Sequence, residues 1–240
     1  MFDSTKNDSF GAAARSVFIG AIGALMLAAC SGGGGAETTT STSAGGEYEV
    51  AGDYAIGNAD AAVTVVEYAS VVCGHCANWT NTVYPDFKTK YVDSGKVRYV
   101  FRPFPTQPVE LADAGHMIAM CAAEDKFMSN IKLQFERQKQ IFDMAGQGKA
   151  REAYVSLAKA SGLSEDDFLA CMQDQDVRAK YEAIVQGGID MGVGGTPSFF
   201  INGTKSNVFT LESFDEVILP LLGEEVPAKE DEADATETSE

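Results

Sequence analysis

The sequence predicts an α/β fold in which an all-helical block interrupts a strand-and-helix body. Three observations carry this. A β-branched run at 62–69 is followed by a break, a helix and a second strand. Residues 109–190 show only helical patterning. The chain then returns to β at Ser198-Phe199-Phe200-Ile201, with Asn202-Gly203 as a hairpin signal. The expected order is β-α-β, helices, β-β-α. At 240 residues, with 45% hydrophobic and 22% charged residues, the chain can bury a large core.

Taken in order, residues 1–29 read as an export signal. Lys6 and Arg15 give a basic start, and Val17 to Ala29 form an apolar run. That run suits a signal peptide and is short for a membrane-spanning helix. It ends in Leu27-Ala28-Ala29-Cys30, which resembles the lipobox of bacterial lipoproteins. The resemblance implies cleavage before Cys30 and lipidation of that residue; an ordinary signal peptide followed by an accidental Cys is the alternative. Residues 30–50 are expected to be a lipid anchor and flexible linker, since Ser, Gly, Thr and Ala dominate and cannot build a core. A tether of about 20 residues has an r.m.s. span of roughly 25 Å.

The body begins in 51–107. Ala62 to Ala69 is a buried strand, Ser70 to Gly74 break it, Cys76 to Tyr91 is a helix, and Lys96 to Phe101 is a second strand ending at Pro103 and Pro105. The helical block, 108–190, has breaks near Gly146-Gln147-Gly148 and Ser161-Gly162, and an N-cap with an acidic first turn at Ser164 to Asp167. In 191–222 the short strand and its turn are followed by Val208-Phe209, expected to open the partner strand. A helix then runs over Leu211 to Leu222, where Pro220 predicts a kink or early end. The tail, 223–240, holds eight acidic residues and one Lys and is expected to be disordered. The net charge of −17 argues against nucleic-acid partners.

Five cysteines occur, at 30, 73, 76, 121 and 171. With Cys30 assigned to the lipid, Cys73 and Cys76 form a CxxC redox couple at a strand-to-helix junction. Cys121 and Cys171 either pair with each other or remain as two buried thiols; pairing is the expectation in an exported chain. Disulfide exchange needs a thiolate nucleophile. A sulfur at a helix N-terminus meets free backbone N–H groups and the helix dipole, which favour the anion. Cys73 is therefore the attacking residue and Cys76 the resolving one. His75 adds positive charge or a donor. Gly194-Gly195-Thr196-Pro197 precedes the short strand, a setting that suits a tight turn and a cis peptide.

Together these residues resemble the DsbA-like branch of the thioredoxin superfamily, from about Asp53 to Leu222. The resemblance rests on Ile56 to Ala61, Glu67 six residues before Cys73, the Cys-Gly-His-Cys centre, Arg102-Pro103-Phe104-Pro105, and Gly195 to Gly203. It implies a thioredoxin fold split as 51–107 and 191–222 around the inserted helices. It also implies a cis Thr196–Pro197 bond that docks substrate. Glu67 becomes a partly buried carboxylate near the resolving thiol, placed to shuttle a proton, with a salt bridge as its plainer role and Arg98 as a charge partner. Some relatives of this branch carry a disulfide between two helices of the insertion, which suits Cys121 and Cys171. Gly74 departs from the best-known oxidase, which has Pro there; Gly-His is the pair of protein disulfide isomerase. Those two potentials differ by about 60 mV, about a hundredfold in equilibrium.

The functional expectation is an exported, monomeric oxidase acting on reduced or unfolded exported proteins, reoxidised by a membrane redox partner. An isomerase or reductase is the alternative, and a metal-binding module using Cys73, His75 and Cys76 is the alternative of another class. No cofactor or metal is expected, and His116, with no second His or carboxylate placed to form a metal site with it, reads as a structural residue. The expected location is periplasmic and lipid-anchored, with Ser31 favouring the outer membrane by resemblance to sorting signals.

Overall fold

A computed structural model describes residues 48–50 and 52–227. The export segment, Cys30, most of the linker and the tail from 228 lie outside the described residues. Strands β1 (Tyr54–Ile56), β2 (Val63–Ala69), β3 (Val97–Pro103), β4 (Ser198–Ile201) and β5 (Thr204–Ser206) form one sheet in the order β1-β3-β2-β4-β5. β2 and β3 run parallel, and the other pairings are antiparallel. β2 is central and buried along its whole length. Its sequence is therefore a continuous β-branched run rather than an alternating one.

The crossover from β2 to β3 holds α1 (Gly74–Thr82), α2 (Tyr84–Phe87) and a π-helical turn (Lys88–Val92). The single helix expected over 76–91 is thus broken. Pro85 has no N–H to bond the carbonyl four residues back, so the helix restarts with Pro85 in its first turn. Between β3 and β4 lie α3 (Val109–Cys121), α4 (Phe127–Glu136), α5 (Gln138–Gly146), α6 (Ala150–Ala160), α7 (Glu165–Gln173) and α8 (Gln175–Asp190). Gly148 and Gly162 follow α5 and α6 with φ of 75° and 87°, which explains both expected breaks. Ser164 caps α7 in a capping box with Asp167, and Asp174 caps α8.

The hairpin is tighter than expected. Ile201 pairs directly with Thr204, so Asn202 and Gly203, with φ of 45° and 74°, form the whole two-residue turn. The partner strand is therefore 204–206, and Val208 lies in the core instead. The last helix, α9 (Leu211–Leu221), ends one residue after Pro220.

Trp79 of α1 is the hub of the main core. Its ring centroid lies 4.8 Å from Phe199 of β4, 5.6 Å from Tyr84, 5.9 Å from Phe87 and 5.9 Å from Phe214 of α9. These rings fix α1 over one sheet face, each pair contributing about 0.5–1.5 kcal/mol beyond burial. On the other face Arg102 is buried with Asp53, at 2.7 Å and 2.9 Å, and donates to Tyr68 Oη and the Tyr48 carbonyl. That network pins the start of the described chain to β3. The helical block has its own core of Ile118, Ile141, Tyr154, Leu157 and Phe168. Cys121 at the end of α3 and Cys171 in α7 are joined by a disulfide, with Cα atoms 6.0 Å apart.

Candidate active site

Cys73 is the N-cap of α1. Its backbone is extended (φ −81°, ψ 122°), and its Sγ accepts the Cys76 N–H at 3.4 Å. The sequence dictates this placement. β2 ends at Ala69, Ser70 Oγ accepts the N–H groups of Val72 and Thr106 to shape the turn, and the first helical turn starts at Gly74. Cys73 and Cys76 are both thiols in this structure; Cys73 is partly exposed and Cys76 is buried.

The two thiols have opposite proton affinities. Cys73 is lowered from the ordinary thiol value to about 5, chiefly by the Cys76 thiol donating to it. The Thr196 side chain and the backbone N–H groups of Cys76 and His75 add to this, against some desolvation. Cys76 is pushed far up, first by burial, then by its hydrogen bond to Cys73 and the negative potential of Glu67. One sulfur is thus poised as a thiolate at neutral pH, and the other holds its proton.

Across from the pair, the Thr196–Pro197 peptide is cis. The Thr196 carbonyl accepts from Cys73 Sγ at 3.3 Å. Thr196 Oγ1 has no hydrogen-bond partner among the described residues in this dithiol form, yet lies close enough to both sulfurs to favour their anions. An open groove of about 550 Å³ runs beside this loop, lined by His75, Trp79, Thr196, Pro197, Lys205 and Phe209 among others. The His75 imidazole is exposed on this groove. What reaches the Cys73 sulfur from His75 is its backbone N–H.

Glu67 is fully buried on the α1 face of β2. Its charge partner is not Arg98. Arg98 lies on the opposite face of β3, where it bonds Glu49 at 2.8 Å and the Gly57 carbonyl at 2.7 Å. In the parallel register Glu67 pairs with Phe101 and Val65 with Tyr99, so the odd-numbered residues of both strands share a face. Tyr99 accordingly donates its hydroxyl to Glu67 Oε2, while Oε1 has no partner among the described residues. Burial raises the carboxyl to about 8, with Tyr99 pulling it down and the Cys73 charge adding to the rise.

Two residues of the helical block hold the loop before Cys73. Gln138 Nε2 donates to the carbonyls of Val71 and Cys73, at 2.9 Å and 3.0 Å. His116 Nε2 accepts the Val71 N–H at 3.2 Å, and its Nδ1 faces Tyr181 Oη at 3.1 Å. Tyr181 donates to Asp113 at 2.8 Å, which assigns the ring proton to Nδ1. Burial lowers His116 to about 3, so the ring is neutral. Sequence reasoning found His116 only as a structural residue and passed over Gln138 and Tyr99. Among the described residues, no three His, Cys, Asp or Glu side chains are gathered to hold a metal.

A family model described as thioredoxin matches residues 49–219. The chain belongs to the thioredoxin family. This thioredoxin-family chain is 29% identical over 171 residues to a Rickettsia bellii protein named as a protein-disulfide oxidoreductase, covering 69% of this chain and 63% of that one. A Bacillus cereus protein named as disulfide bond formation protein D is 26% identical over 157 residues, 64% of this chain and 71% of that one. The chain spans a little under two thirds of the length of the rickettsial relatives. Among solved structures, Wolbachia pipientis alpha-DsbA1 superposes with a TM-score of 0.65 at 26% identity, covering 73% of this chain and 93% of that one. A protein-disulfide isomerase from Novosphingobium aromaticivorans shares the fold at a TM-score of 0.61 and 22% identity, covering 72% and 98%. The architecture is a thioredoxin fold with a helical insertion between β3 and β4, and its structural neighbours include DsbA proteins.

Proposed function

We propose that this protein is a thiol–disulfide oxidoreductase that exchanges a Cys73–Cys76 disulfide with dithiols of exported proteins, acting as an oxidase. The observation that carries the reading is the split between the two sulfurs: a stabilised Cys73 anion at the N-cap of α1 and a buried, protonated Cys76 behind it. In the oxidised enzyme a client thiolate attacks Cys73 Sγ. A client–Cys73 bond forms, the Cys73–Cys76 bond breaks, and Cys76 takes up a proton. A second client thiolate then attacks the client sulfur of the mixed disulfide. The client disulfide forms, and Cys73 departs as the thiolate its surroundings favour. Stabilising that leaving group stabilises the reduced enzyme and makes the couple oxidising.

The groove beside Thr196 and Pro197 gives an extended client segment a place to lie, with the Thr196 backbone beside the reacting sulfur. On this reading the clients are reduced or unfolded exported proteins, and a membrane redox partner restores the disulfide. The protein works as a monomer in the periplasm, tethered by lipid on Cys30, with the outer membrane favoured. Measuring the Cys73–Cys76 equilibrium against glutathione tests the oxidase reading. A potential well above that of thioredoxin, which is about −270 mV, is expected. A potential near thioredoxin's would instead mark a reductase. Cys76→Ala should trap clients on Cys73, and the absence of any trapped client would refute exchange chemistry.

A further inference from the structure

The Glu67 carboxyl has one bonded and one free oxygen. Tyr99 Oη donates to Oε2, and Oε1 is buried without a partner among the described residues. No cation serves this carboxyl from β3, because Arg98 and Arg102 both lie on the opposite face and are bound to Glu49 and Asp53. The titratable groups around it are Cys73 and Cys76, Tyr84 of α2 and Tyr99 of β3. β4 sets only Phe199 beside it, and of the acids of α9 the buried one, Asp215, is taken up by Lys90 and Tyr91 while Glu212 and Glu216 are exposed. Among the described residues, Tyr99 is therefore the one side chain that fixes this carboxyl by a hydrogen bond, and it does so with an uncharged donor.

We propose that Tyr99 is a positioning residue for the resolving step: its hydroxyl occupies Glu67 Oε2 and leaves Oε1 to take the proton from Cys76 Sγ. The inference rests on the exchange reading above. In a mixed disulfide on Cys73, the proton passes from Cys76 Sγ to Glu67 Oε1. The resulting Cys76 thiolate attacks Cys73 Sγ, the Cys73–Cys76 bond forms, and the bound partner leaves as a thiolate. Glu67 then returns its proton to solvent. A neutral donor suits this task. A cation at the same place would hold Glu67 ionised and weaken it as a base, whereas a hydroxyl orients the carboxyl and leaves its proton affinity high.

Tyr99→Phe removes one hydroxyl from a buried ring and tests the idea with little threat to folding. Loss of a hydrogen bond to the charged form should raise the Glu67 midpoint by about one to two pH units. Two readouts are needed on reduced and mixed-disulfide protein. The first is the 13C resonance of the Glu67 carboxyl through a pH titration, identified by its absence in Glu67→Gln. The second is the single-turnover release of glutathione from a Cys73–glutathione adduct across the same pH range. The proposal expects both midpoints to move alkaline together, with release at pH 7 slowed about tenfold or more. An unmoved carboxyl midpoint would overturn it, as would a shifted carboxyl with an unshifted release profile. Failure of the wild-type adduct to release glutathione at any pH would sink the exchange reading itself, and the carboxyl titration would still report whether Tyr99 governs Glu67.

Discussion

Replacing Cys76 by Ala should strip Cys73 of the donor that lowers it most. In the native site the Cys76 thiol, the Thr196 side chain and two backbone N–H groups all favour the anion, and the thiol midpoint stands at about 5. A hydrogen bond to a charged group contributes about 1.5–3 kcal/mol, and one pH unit corresponds to about 1.4 kcal/mol. The variant should therefore titrate about one to two units higher, while the helix N-terminus keeps it below an ordinary thiol. At pH 5.5 the thiolate fraction would fall from about three quarters to about a tenth. Thiolate absorbance near 240 nm and the pH dependence of alkylation both report this directly. Cys76→Ser, which keeps a donor, should shift less. A Cys76→Ala midpoint still near 5, or equal shifts in the two variants, would refute the assignment of Cys76 as the principal donor. Stability follows with a definite sign. The Cys73 pKa is depressed on folding, so its contribution to the reduced protein is full above about pH 9 and is lost as pH falls through about 5. Four units would give about 5 kcal/mol at full burial, and partial exposure of the thiol reduces this to about half. Cys76→Ala should shrink that pH-dependent part, as read by urea denaturation of reduced protein at pH 5 and 9.

Three further outcomes follow from the packing. Gly74 is the first residue of α1, a Cβ there meets nothing within 4 Å, and its N–H is not among the donors to Cys73; Gly74→Pro should fold normally and raise the reduction potential by up to about 60 mV against glutathione. An unchanged potential would show that this position does not tune the couple. Asp53→Ala would leave Arg102 buried without its carboxylate, their side chains being only 6% and 1% exposed, and should cost about 3–5 kcal/mol in a urea melt; a loss under 1 kcal/mol would contradict the strength assigned to this pair. Gln138→Ala frees the Val71 carbonyl and leaves that of Cys73 to the Ala77 N–H alone, and should cost about 1–3 kcal/mol, with faster amide exchange over residues 70–76; unchanged exchange there would show that the loop does not depend on α5.

The central strands, the CxxC junction and the helical block were legible because each leaves a local pattern: a β-branched run, a break before a helix, glycines between helical segments. β1 was not, because three residues give no period and the strand exists only by pairing with β3, more than forty positions away. The hairpin partner was misplaced toward Val208 because apolar character was followed instead of turn length. A two-residue turn forces pairing at Thr204 whatever the polarity. The Arg98 assignment overlooked alternation. Glu67 is two residues on from Val65, whose parallel partner is Tyr99, and period-two reasoning places Arg98 on the far face. Gln138 carried no signal at all, since nothing local marks a helical glutamine as a donor to a loop 65 residues earlier.

The bonds from Gln138 and His116 bear on how such a protein can be shortened. A chain trimmed to its strands and flanking helices, with 109–190 replaced by a short loop, would keep both cysteines and Pro197. It would also strand the carbonyl and the N–H of Val71, whose partners among the described residues lie in α5 and α3, and would take from the Cys73 carbonyl one of its two donors. The insertion is thus no removable ornament on an autonomous catalyst. Changes to the loop and changes to these two helices must be accepted together, so the helices will resist grafting between relatives unless the residues at 116 and 138 travel with the loop they hold.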